Sequence, residues 1–109
     1  MKLITGLVRP DRVDDIRDAL KRLFIEALTT YEVRDYAPQD HGTVVWRSCE
    51  QTLESSIKIE LRVVVDDDDA DAVVDAIVRI GRTGRTGDGE VCVLPVDHRF
   101  DIRTGQRGV

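Results

Sequence analysis

At 109 residues, with 41% hydrophobic and 34% charged residues, the chain has the material for one core under a charged surface and is read as a single domain, 1–109. Its net charge of −5 argues against a general affinity for nucleic acid, which is bound by clustered Lys and Arg. No run approaches the roughly 18 apolar residues of a membrane span, and "MKLITGLVRP" is interrupted by Arg9 and Pro10 too soon for a secretory leader, so no membrane insertion and a cytoplasmic location are expected.

"KLITGLVR" is rich in β-formers and stops at Pro10, which predicts a first strand. Asp11 is placed to cap a helix over "DRVDDIRDALKRLFIEAL", where Val13, Ile16, Leu20, Leu23 and Ala27 recur at helical spacing and Asp14 and Asp15 face the positive end of the dipole. "LTTYEVRDYA" reads as a second strand and "IKIELRVVV" as a third. In the third, Lys58, Glu60 and Arg62 share one face while Ile57, Ile59, Leu61 and Val63 share the other.

Between these strands runs "PQDHGTVVWRSCEQTLES", longer than a hairpin turn requires. Its Trp46, beside Val44 and Val45, fits either a docking surface or an extension of the hairpin. "DDDDADAVVDAIVRI" predicts a second helix with Ala70, Val73, Val74, Ile77 and Ile80 on its apolar face; the Asp run at 66–69 reads as a capping and solvated feature rather than a metal site. "EVCVLPV" completes the pattern as a last core strand ending near Pro95. Cys49 and Cys92 lack disulfide or zinc spacing and are read as free thiols.

The order strand, helix, strand, strand, helix, strand predicts an α+β, ferredoxin-like βαββαβ fold: an antiparallel sheet with both helices on one face. With no further helix to cover the other face, the expected cover is another copy of the chain.

The segment "RTGRTGDGE", 82–90, holds three of the eight glycines, and Arg-Thr-Gly recurs at 82, 85 and 103. Such a loop either turns several backbone N–H groups toward one anion, with Thr and Arg as further donors, or forms a tight helix-to-strand turn. It is neither a Walker loop nor a dinucleotide fingerprint. His41 and His98 lie far apart in the sequence, no hydrolytic or redox constellation appears, and no catalytic residue is assigned.

"MKLITGLVRPDRVDDIRDAL", "GRTGRTGDGEVCV" and "DIRTG" resemble the PII signal-transduction family from Met1 to about Gly105. The resemblance implies a homotrimer that binds adenine nucleotides in clefts between subunits and engages a target enzyme or transporter through a long loop, here 37–55. Thr29 and Val64 match the family's adenine pocket, and Gly87, Gly89 and Arg103 match its phosphate site, with Arg82, Thr83, Gly84, Arg85 and Asp88 in the same loop. The family's Glu near the adenine is Arg62, its phosphate-binding Lys is Glu90, and a further Arg is Asp101.

Two anions beside a polyphosphate weaken ATP, so AMP or ADP is the expected nucleotide, with Mg²⁺ relevant only to ATP. The alternative is that Glu90 and Arg62 pair with each other and close the site. Gln39 and Lys58 match the family's effector residues, but glycines of the family loop are Asp35 and Ala37 here, which argues against 2-oxoglutarate. A small anion such as bicarbonate, as sensed by carboxysome-associated relatives, is the alternative effector. In the partner-binding loop, Trp46, Arg47 and Gln51 fall on the family's modification motif; Gln51 replaces its modified tyrosine. The competing reading is a ligand-independent trimeric scaffold with a degenerate nucleotide site.

Overall fold

The structure, a computed structural model, describes residues 1–37 and 54–108. Four strands, β1 (Lys2–Val8), β2 (Thr29–Ala37), β3 (Glu54–Val65) and β4 (Gly89–Pro95), form one sheet in the order β2-β3-β1-β4 with every neighbour antiparallel. Two helices, α1 (Val13–Arg22) and α2 (Ala70–Gly81), supply the crossovers. This is the ferredoxin-like βαββαβ arrangement predicted from the element order.

The core lies between the helices and one face of the sheet. Alternation along β1 and β3 sends Ile4, Val8, Leu61, Val63 and Val65 into it, where they meet Ile16, Ala19 and Leu20 of α1 and Ala70, Val73, Ala76 and Ile77 of α2. Gly6 faces the same way, and a Cβ there would come within 2.8 Å of Leu61 Cδ1 and 3.3 Å of Ile77 Cγ2. Its missing side chain is what lets α2 lie close on the sheet.

The first helix is shorter than its apolar periodicity predicts. It ends at Arg22 because Phe24 takes φ 63°, and the chain closes with Phe24 N–H donating to Lys21 O at 2.9 Å and Ile25 N–H to Leu20 O at 2.9 Å. This is a Schellman closure with phenylalanine in the position glycine usually holds. Asp11 does not cap the helix either: Pro10–Arg12 form a 3-10 turn whose preceding residue is Arg9. Asp67–Asp69 likewise form a 3-10 turn before α2 without a side-chain cap, and Asp67 instead pairs with the N-terminal ammonium.

The last strand is an edge, not a core strand. Val91 packs against the core, whereas Val93 and Leu94 remain 47% and 43% exposed. The helix-free face of the sheet carries Leu3, Leu7, Tyr31, Val33, Val64, Cys92 and Leu94 by register, none of them fully buried. No described helix is long and apolar enough to cross a membrane.

Candidate functional site

Loop 82–90 joins α2 to β4, and the pull of Asp88 decides its shape. The Asp88 carboxylate accepts the backbone N–H groups of Thr83 and Gly84, each at 2.8 Å, and the Thr83 hydroxyl. Arg9, at the end of β1, donates Nε to Asp88 at 2.9 Å and Nη2 to Thr86 O at 3.2 Å. Hydrogen bonds from Thr83 above all, then from Arg9 and Gly84, hold the Asp88 carboxyl well below the ordinary carboxylate range, against a smaller opposing effect of burial. Two N–H groups of the expected anion cradle are thus already bonded to an anion of the chain itself.

Beyond Asp88 the backbone reaches β4 through Gly89, at φ 109°. A Cβ there would fall 1.7 Å from Leu7 O, so only glycine permits the approach of loop to β1. Beside it lies an open groove of about 220 Å³ whose polar lining is Arg82, Asp88 and Glu90, with Leu7, Ile77 and Val91 as its apolar floor. Arg82, Gly84, Arg85 and Glu90 are exposed, and Thr83, Gly87 and Asp88 are partly buried.

The remaining predicted nucleotide residues gather elsewhere on the sheet. Thr29, Arg62 and Val64 line a second concavity, about 410 Å³, together with Leu3, Tyr31 and Arg99. Arg62 lies over the Tyr31 ring, 5.5 Å from its centroid, and its Nε stands 4.0 Å from Glu60 Oε2. Within one chain Arg62 is therefore not paired with Glu90. Register explains why: Arg62 is level with Thr5 and Cys92, whereas Glu90 is level with Leu7 and Glu60. The two side chains stand two strands apart, about 10 Å, and one pleat out of line.

Arg103 lies in a third place, the exposed turn closed by the Phe100–Arg107 bridge and by Asp101, which accepts the N–H groups of Thr104 and Gly105. Lys58 is at the far end of β3. Its side chain is 2% exposed, and its ammonium donates to Asp35 Oδ2 at 3.3 Å and to Ser56 Oγ at 2.9 Å. Gln39, Trp46, Arg47 and Gln51 lie outside the described residues, as do Cys49 and His41.

Sequence reasoning did not single out Arg9, Tyr31 or Arg99, nor the bond of Asp35 to Lys58. A hairpin register would have found the last, since Asp35 faces Ser56 and Val33 faces Lys58 across β2 and β3. Arg9 carries no local signal, because its partner Asp88 is 79 residues away.

A family model described as nitrogen regulatory protein P-II matches residues 1–106. The nitrogen regulatory protein P-II of Nostoc punctiforme is 37% identical over 107 residues, 98% of this chain and 96% of the relative. P-II 1 of Escherichia coli K12 is 36% identical over 106 residues, 97% and 95% of the two chains. A crystal structure of PII from Arabidopsis thaliana bound to citrate superposes with a TM-score of 0.78 at 29% identity, covering 98% of this chain and 84% of that one.

Proposed function

This chain belongs to the nitrogen regulatory protein P-II family, and on that premise we propose that it works by binding rather than turnover, as a homotrimer that takes AMP or ADP in preference to ATP and regulates a target protein through segment 37–55. The observation that carries the nucleotide preference is the charge of the groove beside loop 82–90. Its polar lining holds two carboxylates, Asp88 and Glu90, against one cation, Arg82, and since Asp88 is already matched by Arg9, Glu90 is the carboxylate that a phosphate would meet. At about 4 Å and an effective dielectric near 20, each like-charge contact with a phosphate costs about 4 kcal/mol before screening, so every added phosphate weakens the fit.

Thr29, Arg62 and Val64 share one concavity, while the glycine loop borders another. A nucleotide spanning both kinds of residue is best accommodated between neighbouring copies, with one supplying the base pocket and the next the loop. The incompletely buried apolar residues on the helix-free face supply the contact for such an assembly. A small anion such as bicarbonate is the proposed co-ligand, beside Arg62 or Arg103, which lie outside that acidic groove.

The bonding of Asp88 to Thr83 and Gly84 favours the second reading, a trimeric scaffold free of ligand control, since those N–H groups are already satisfied. Thermal unfolding with AMP, ADP and ATP, each with and without bicarbonate or 2-oxoglutarate, separates the two, because a ligand of the folded state raises the melting temperature. A larger shift with AMP or ADP than with ATP supports the sensor. No shift with any of them leaves the scaffold, and light scattering of the same sample tests the trimer in both cases.

A further inference from the structure

Arg62 shares a concavity with Thr29 and Val64. Register sets it level with Thr29 of β2, between the row of Leu3 and Val64 and the row of Tyr31 and Glu60, all on the helix-free face. At about 410 Å³ the space is within the range of small-ligand pockets. Leu3 and Val64 make part of it apolar, and its polar side chains are Thr29, Tyr31, Arg62 and Arg99. Two are hydroxyls and two are guanidiniums, and no carboxylate or carboxamide stands among the described lining residues.

Side-chain donors therefore outnumber acceptors in this lining. A guanidinium carries five N–H donors in a rigid fork and no acceptor, whereas a hydroxyl offers both. The Arg62 guanidinium lies over the Tyr31 ring, 5.5 Å from its centroid, and its Nε is 4.0 Å from Glu60 Oε2, too far for a hydrogen bond. Ring and carboxylate thus hold the fork in place without consuming its donors. Such a fork matches an edge with two adjacent acceptors. On a 6-oxopurine those are O6 and N7, whereas adenine sets an amino donor beside N7 and leaves one acceptor there.

We propose that Arg62 selects the base at this site, and that the chain binds 6-oxopurine nucleotides, of the hypoxanthine and guanine kind, at least as tightly as adenine nucleotides. The inference rests on the nucleotide reading above and extends it from the number of phosphates to the identity of the base. Arg62 meets the edge of the base, Tyr31 positions Arg62, and Arg99 adds a second cation to a lining that favours acceptors.

Titration calorimetry of the full chain with ADP and inosine diphosphate isolates the base, because the two differ only in the amino or oxo group of the purine and the ring proton that goes with it; GDP is a third probe. In the parent protein, inosine diphosphate and GDP should bind at least as tightly as ADP. Arg62→Glu, which puts acceptors where the fork was, should lower the affinity for inosine diphosphate relative to ADP by about tenfold or more. Arg62→Ala removes the fork without adding a charge and should move the ratio in the same direction, so it carries the comparison if the Glu variant does not fold. Tighter binding of ADP than of inosine diphosphate by the parent overturns the proposal while the nucleotide reading stands, and so does a ratio that does not fall when Arg62 is replaced. Binding of no purine nucleotide by the parent overturns both.

Discussion

Asp88 and Thr83 are joined twice, through the Thr83 backbone N–H at 2.8 Å and through its hydroxyl, so that one carboxylate closes the turn from α2 toward β4. With Gly84 N–H and Arg9 Nε on the same carboxylate, the loop is shaped by an internal anion rather than awaiting one.

Asp88→Ala should therefore cost stability as well as any ligand. Hydrogen bonds to a charged group are worth about 1.5–3 kcal/mol each in net terms, and the turn keeps part of its geometry through its glycines, so a loss of about 3 kcal/mol in urea unfolding is expected. The pH dependence has a fixed sign. Because the folded-state pKa is depressed, the contribution is complete above the ordinary carboxylate range near pH 4 and fades as pH falls through the folded value. Asp88→Asn should flatten the acid limb of the stability profile below about pH 4 relative to the parent.

Phe24 closes α1 in the left-handed region, at φ 63°, with its side chain 93% exposed. An L-residue with a Cβ is strained there by about 1–2 kcal/mol. Phe24→Gly should relieve that strain at the cost of extra unfolded-state entropy, for a net gain of about 0.5–1 kcal/mol. A lower midpoint in denaturant would show that the phenyl ring contributes contacts outweighing the strain.

Gly89→Ala and Gly84→Ala form a matched pair. Both positions have positive φ, but an added Cβ meets Leu7 O at 1.7 Å in the first and open space in the second. The Gly89 variant should lose about 3 kcal/mol or more, by breaking the approach of β4 to β1. The Gly84 variant should lose about 1 kcal/mol, from backbone strain alone. Equal losses in calorimetry would mean that the β1–β4 contact is not what the glycine protects.

Glu90→Lys tests the charge argument for nucleotide choice. Replacing the exposed carboxylate at the groove's rim by an ammonium should raise ATP affinity by about tenfold or more, about 1.4 kcal/mol after solvent screening. The effect on AMP should be smaller. Titration calorimetry of the variant against both nucleotides reads the difference directly, and unchanged ATP affinity would remove Glu90 from the site.

Much of this was legible in the residues taken in order. Strand and helix periods depend on near neighbours, so Ile16 and Leu20, or Val73 and Ile77, identify their core faces without knowledge of the fold. The strand-helix order and the glycine-rich link before β4 then limit the topology to a split βαβ arrangement. The same local reasoning failed where a local rule was broken. Nothing in "LKRLFIEAL" marks a stop, because the residue in the left-handed position is phenylalanine and not glycine.

Partnerships between distant residues needed the tertiary structure. Arg9 meets Asp88 across 79 residues and Lys58 meets Asp35 across 23. Strand order and register bring such side chains together, and neither is contained in the sequence neighbourhood of any one of them. By itself the sequence determined which elements form, which faces are apolar, and that the glycine loop would carry opposing charges. The tertiary structure alone decided which charge answers which: Asp88 turns inward to the loop, Asp35 reaches Lys58, and Arg62 lies over Tyr31 out of reach of Glu90. A side chain's type and period are local properties, whereas its electrostatic partner is set by the packing of strands far apart in the chain.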